Sequence, residues 1–149
     1  IRENFEFYEP KTVHESSLSP CIHAILAAKL NLMDKAYELY VRTSRLDLDD
    51  YNQEANEGLH ITSMAGTWLS VIEGFAGIRV KKQQLYINPR LPIEWKELKF
   101  NLVVNNNLVQ IDINHNQFSV LNTSEKKIRF SHKDNWYEAL SHHATLITF

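Results

Sequence analysis

The chain has 149 residues, with 44% apolar residues, 23% charged residues and a formal charge of −2. Length and composition describe a globular chain of one ordinary domain or two small ones. The balance lacks the basic excess of a nucleic-acid binder and the acidic tracts of a disordered tail. No apolar run approaches the roughly 20 residues a membrane-spanning helix needs. Cys21 is the single cysteine. With no signal peptide in view, it favours a cytoplasmic location. The first residue is Ile1 rather than Met, and Ile1 to Pro10 reads as a connecting segment.

In chain order, the first helix is expected to begin at Ser19-Pro20, with serine as N-cap and proline in the first turn. Cys21, Ile25, Ala28 and Leu32 form its stripe, and Ala24, Ala27 and Ala28 permit close approach of a neighbour. Asn31 to Met33 reads as a short turn. Asp34 is expected to cap a second helix whose shared face is Ala36, Tyr37, Tyr40, Val41 and Ser44. So short a turn predicts an antiparallel pair. Residues 46–59 carry Asp47, Asp49, Asp50, Glu54 and Glu57 and read as a loop. A third helix is expected over roughly 60–75, apolar on most sides and therefore well buried.

From Gly77 the period becomes two. Strands are expected at 78–80, 84–87, 98–104, 108–113, 117–121 and 127–130, with Asn105 to Asn107 as a hairpin turn. Residues 132–149 are ambiguous, with a last strand from Ala144. The reading is α+β: helices over 1–76, then antiparallel β structure over 77–149.

Two clusters suggest chemistry. His14, Ser16 and Ser17 precede a helix, where free N–H groups and the helix dipole attract anions; ordinary serine capping is the alternative. His60, Thr62, Ser63, Gly66 and Thr67 open the third helix. Gly66 there permits close approach of a ligand or of a packed helix. Alternating Asp47 and Asp49 lack the rest of a calcium loop. None of the seven histidines shows a His-Glu-x-x-His spacing, so no metal site is expected. Cys21 reads as packed rather than nucleophilic.

Three stretches together carry a resemblance. They are Phe7 to Pro20 (FYEPKTVHESSLSP), Thr43 to Asn52 (TSRLDLDDYN), and Glu57 to Trp68 followed by Gly74 to Val80. In this order they resemble the C-terminal region of glycoside hydrolase family 65, over roughly residues 5–121. The stretch from His60 to Trp68 is most similar to the maltose phosphorylase branch; kojibiose- and trehalose-type members have a double glycine where Ala65-Gly66 stands.

The resemblance implies the last helices of an (α/α)6 catalytic barrel over 1–76 and a small antiparallel β-sheet or sandwich domain over 77–149. It implies inverting phosphorolysis of a disaccharide, with inorganic phosphate as co-substrate and no cofactor. It also implies a catalytic glutamate upstream, so that no catalytic residue lies in this chain and the chain alone is inactive. His14, Ser16, Ser17, His60, Ser63, Ala65 and Gly66 match the phosphate-pocket elements, with His60 the first choice for a direct contact. The Ala65 methyl narrows approach at that position. The implied partners are the disaccharide, phosphate, the rest of the parent chain and a second copy in a homodimer. Nucleic acid and membrane are not among them. A kojibiose, nigerose or trehalose phosphorylase, a trehalase-like hydrolase, and a sugar-binding module using Trp68, Trp95 and Trp136 are the competing readings.

Overall fold

The computed structural model describes residues 1–51, 53, 54, 56 and 58–149. Asn52 of the second matching stretch, Ala55, and Glu57 of the acidic stretch lie outside the described residues. The chain divides into two compact units, Ile1–Phe75 and Ala76–Phe149.

The first unit is helical. It contains α1 (Arg2–Tyr8), a 3-10 turn (Glu9–Lys11), α2 (Ser19–Lys29), α3 (Met33–Ser44), the single turn α4 (Leu46–Asp49), and α5 (Ile61–Leu69), which runs on into a π-helical segment, Ser70–Phe75. Residues 2–8, expected as a connecting segment, are helical. Phe5 is the buried anchor of α1, and Arg2 pairs with Glu6 at 3.2 Å one turn on. Arg2 also donates to the carbonyl of Leu30 at 2.7 Å, satisfying the end of α2.

Helices α2 and α3 form the expected antiparallel pair. Asn31 adopts the left-handed region at φ 62°. The N–H of Leu32 reaches the carbonyl of Ala27 (2.9 Å), and that of Asn31 reaches Ala28 (3.0 Å). This is a Schellman closure with Asn in place of Gly. Close packing follows from size: Cys21, Ala24, Ala27 and Ala28 are buried, and an added Cβ at Gly74 would lie 3.6 Å from Ile25 Cα.

Three helix expectations need correction. Ser19 is inside α2 rather than its N-cap; Leu18 takes that place without a side-chain bond. Asp34 lies in the first turn of α3 and does not cap it, and the buried face is Ala36, Leu39 and Thr43. Helix α5 ends at Leu69, and Ser63, Gly66 and Ser70 are its inward residues while Ile61, Met64 and Trp68 are exposed. Small residues win the inner side because they let α5 lie against α2 and α3; the bulky apolar side faces outward.

The second unit has eight strands: β1 (Ile78–Lys81), β2 (Gln84–Ile87), β3 (Glu97–Val104), β4 (Asn107–Asn114), β5 (Gln117–Asn122), β6 (Ile128–His132), β7 (Asn135–Ala139) and β8 (Ala144–Thr148). They form two four-stranded sheets, ordered β1-β2-β6-β7 and β3-β4-β5-β8. All pairings are antiparallel except β2 with β6. Asn105 and Asn106, at φ 50° and 62°, make the expected two-residue hairpin turn. Alternate residues Val109, Ile111, Ile113, Phe118 and Val120 are fully buried, and Phe118 meets Phe130 of the other sheet at 6.2 Å. Burying each such side chain contributes roughly 1.5–3 kcal/mol. Buried Asn122 donates to the carbonyls of Lys126 (2.8 Å) and Ala139 (3.1 Å), so its burial carries no unsatisfied amide hydrogens.

Candidate functional site

The segment before α2 turns sharply at His14, a buried residue in the left-handed region at φ 58°. A β-carbon makes that conformation unfavourable, so surrounding bonds must hold it. The ring does so from both sides. Its Nδ1 lies 2.8 Å from Ser19 Oγ and its Nε2 lies 3.2 Å from Glu9 Oε2. Glu9 is acceptor-only when ionised, which fixes the proton on Nε2 and lets Ser19 donate to Nδ1. Arg42 of α3 donates to the His14 carbonyl at 2.9 Å.

Glu9 is the hub of this side. It also accepts from His23 Nδ1 and, at 3.0 Å, from Lys35. Burial pushes its carboxyl up, but the bonds from His23 and Lys35 and the charges of Lys35 and His14 outweigh burial and hold it below the usual range. Burial lowers the His14 pKa, with the charges of His23 and Arg42 adding to the fall and Glu9 opposing it. The ligand atoms of Glu9, His14 and His23 lie within 4.8 Å of one another, close enough to hold a metal ion. The Lys35 ammonium already occupies the same carboxylate and would oppose a second cation there. A cavity of about 580 Å³ opens beside this hub, lined by Glu9, Lys35 and Arg42 among apolar Phe5, Leu32 and Leu39. Ser16, Ser17 and His60 are not among its lining residues.

At the start of α5, His60 is held by Asp47 of α4 in two ways. The ring Nδ1 lies 2.5 Å from Oδ1, and the backbone N–H donates to Oδ2 at 3.0 Å. The second ring nitrogen, Nε2, faces Glu54 at 3.3 Å. The bond to Asp47 raises the His60 pKa against burial, with the charges of Asp47 and Glu54 adding to it. His60 is therefore biased toward the imidazolium.

The structure divides the residues singled out in the sequence. Ser16 and Ala65 are exposed, and Ser17 is half-buried. Ser16 Oγ accepts from the Leu18 N–H at 3.3 Å. Ser63 is buried, with its hydroxyl donating to the Thr43 carbonyl at 2.7 Å and its N–H to the His60 carbonyl at 2.9 Å. An added Cβ at Gly66 would stand 2.7 Å from Cys21 Sγ, so this glycine is where α5 lies against α2. Ser63 and Gly66 hold helices together.

One bond joins the two elements. Ser17 Oγ and Thr62 Oγ1 lie 2.8 Å apart, across 45 residues of sequence. The openings of α2 and α5 therefore sit side by side, with hydroxyls at the junction and, two residues before Thr62, an imidazole whose pKa Asp47 holds up. Such a set can bind an oxyanion without transferring a proton to it. The grouping of Glu9 with His14 and His23, and of Asp47 with His60, has no signature in sequence spacing. The separations are 5, 14 and 13 residues, which match neither structural period.

Residues 1–69 match the glycosyl hydrolase family 65 central catalytic domain, and residues 78–138 match the glycosyl hydrolase family 65 C-terminal domain. The chain belongs to this family. It is 59% identical over 112 residues to a maltose phosphorylase of Bacillus subtilis (strain 168), a match covering 75% of this chain and 15% of that protein. It is 50% identical over 102 residues to an alpha,alpha-trehalose phosphorylase of Thermoanaerobacter brockii, covering 68% of this chain and 13% of that protein. A solved structure from the human microbiome, described provisionally as a kojibiose phosphorylase, matches with a TM-score of 0.89 and 32% identity over 97% of this chain and 21% of its own. The chain thus spans a small share of the length of these relatives.

Proposed function

We propose that this chain supplies the phosphate-binding wall of an inverting disaccharide phosphorylase, and that the substrate is maltose. The Ser17–Thr62 bond carries the reading, because it brings the serine pair and the His60 element to one place. Similarity to the maltose phosphorylase, at 59% identity, supports the choice of maltose. Ala65-Gly66, standing where kojibiose- and trehalose-type members have a double glycine, supports the same choice.

In this reading one phosphate oxygen attacks the anomeric carbon as the bond to the departing glucose oxygen breaks. A carboxylic acid elsewhere in the protein gives that oxygen its proton. The products are β-glucose 1-phosphate and glucose. Ser16, Ser17 and the Nε2 face of His60 hold the phosphate in line, which lowers the barrier by positioning rather than proton transfer. Ser63 and Gly66 act from behind by fixing α5. The exposed side of α5, with Ile61, Met64 and Trp68, is the surface that the remaining catalytic domain covers.

The test is to incubate the full-length protein with maltose, with and without inorganic phosphate, and to assay both products. Phosphate-dependent β-glucose 1-phosphate is expected. His60→Gln should raise the KM for phosphate about tenfold or more, the effect of losing a charge-assisted donor. Glucose release that ignores phosphate would reject the reading in favour of hydrolysis. Activity on trehalose or kojibiose in place of maltose would overturn the choice of substrate only.

A further inference from the structure

We propose that Asp47 is a positioning residue for phosphate: its carboxylate, bonded to both the backbone N–H and the ring Nδ1 of His60, fixes that ring with Nε2 as the donor offered to the anion. The inference rests on the phosphate reading above and assigns a role to a residue outside the matched pocket elements.

Two bonds from one carboxylate, at 2.5 Å and 3.0 Å, set the ring relative to its own backbone. A single bond would leave the ring free to turn. Asp47 is itself anchored, because Leu46 beside it is buried and α4 follows α3 directly. Asp47 lies at the start of the stretch, 46–59, that reads in sequence as a solvated acidic loop; its first four residues are instead the helical turn α4. Its neighbour Asp49 is occupied differently, in a two-bond pair with Arg45 at 2.6 Å.

With Nδ1 taken, Nε2 is the ring atom left to a ligand. Its present partner, Glu54, is the looser one: 3.3 Å away, with its side chain 40% exposed. Replacing Glu54 by a phosphate oxygen exchanges one anion for another at the same donor. Asp47, with its side chain 19% exposed and bonded twice, stays in place behind the ring. A carboxylate behind a histidine that faces a reacting or charged group is the usual device for fixing the tautomer and keeping the ring basic. The charged groups acting on His60 among the described residues are Asp47 on α4 and Glu54 beyond it, both acidic. Both support the imidazolium, and Asp47 is the larger influence.

The sign of the effect follows. Asp47 holds the His60 pKa up, so the ring keeps its proton to higher pH. Without Asp47 the proton is lost earlier as pH rises, and phosphate affinity falls earlier. The second ionisation of phosphate also changes over this range, but identically for every variant. The ratio of variant to wild-type KM removes it.

The experiment measures phosphate-dependent turnover of the full-length protein between about pH 6 and pH 9. Wild type, Asp47→Asn, Asp47→Glu and His60→Gln are compared. For Asp47→Asn, the phosphate KM should rise several-fold in the pH interval where wild-type His60 keeps its proton and the variant's does not, while kcat changes less. The KM ratio to wild type should climb with pH from near unity and fall back once wild-type His60 is itself deprotonated, and Asp47→Glu should recover part of the loss. A role in folding alone would lower activity by the same factor at every pH. A flat ratio for Asp47→Asn, with His60→Gln impaired, overturns this inference and leaves the phosphate reading standing. An unchanged phosphate KM in His60→Gln overturns both.

Discussion

Replacing Gly66 by alanine separates the two roles that a glycine inside a helix can have. The added β-carbon would lie 2.7 Å from Cys21 Sγ, 2.8 Å from Cys21 Cβ and 3.5 Å from Thr43 Cγ2. The sulfur can turn away, although it now donates to the Leu18 carbonyl at 3.1 Å. Cys21 Cβ cannot turn, being fixed to the backbone of α2. Relief therefore requires α2 and α5 to separate, which costs about 1–3 kcal/mol in a close-packed contact. Against this, alanine in place of glycine inside a helix contributes about 1 kcal/mol. The net expectation is a loss of about 1–2 kcal/mol. The assay is thermal unfolding of the full-length protein, run as a double-mutant cycle with Cys21→Gly, which removes both clashing atoms. Gly66→Ala should cost clearly less in that background, giving a coupling of about 1 kcal/mol or more, as for residues in direct contact. The reasoning fails if Gly66→Ala is equally harmful with and without Cys21, or if it stabilises. A stable Gly66→Ala protein with a raised phosphate KM would mean that the space at Gly66 serves the ligand.

Glu9→Gln should destabilise the helical unit by about 1–2 kcal/mol at neutral pH, a buried-pair loss discounted because the Lys35 side chain is 35% exposed. The Glu9 pKa is lowered by folding, so its contribution is present above the unfolded value of about 4.3 and is lost as pH falls through the folded one. The gap between Glu9→Gln and wild type should therefore begin to narrow below about pH 4, as followed by denaturant titrations at several pH values. A gap that does not narrow as pH falls from about 4, or none at pH 7, refutes the hub role. Gly77→Ala attacks the β unit at a different kind of point. Gly77 has φ +62°, and an added Cβ would lie 2.0 Å from the Asn88 carbonyl oxygen, which is backbone and cannot yield. A loss of about 3 kcal/mol or more is expected, read as lost amide-exchange protection along β1 and β2. Wild-type protection there would show that the Gly77–Asn88 closure is not needed.

What could be read in the sequence depended on whether a feature is periodic. Helices α2 and α3 and six of the strands repeat their apolar residues at 3.6 or 2, and they fall close to the expected bounds. Periodicity does not tell which side of an all-round apolar helix faces inward. Ser63, Gly66 and Ser70 of α5 are inside because backbone approach, not hydrophobicity, decided the contact. Strand β7, Asn135–Ala139, escaped notice because its burial pattern leaves four of five residues at least partly exposed. The site shows the same division. Serines and histidines ahead of helices are legible as anion donors from residue type alone. The carboxylates that set them are not, since Glu9 reaches His14 only through a left-handed turn and Asp47 reaches His60 across the acidic stretch.

That division has a chemical consequence. Ser16 and Ser17 offer neutral hydroxyls, whose donation does not change over the physiological pH range. His60 offers a charge that does, and Asp47 behind it keeps the charge in place. On the proposed reading, a site built this way would bind phosphate through two components that a pH series can separate. The serine part persists at all pH values, and the imidazolium part disappears as pH rises through the His60 pKa. Phosphate affinity should consequently fall on alkalinisation to a plateau rather than to zero. The plateau should equal the affinity of His60→Gln, a correspondence that no uniform loss of folding would produce.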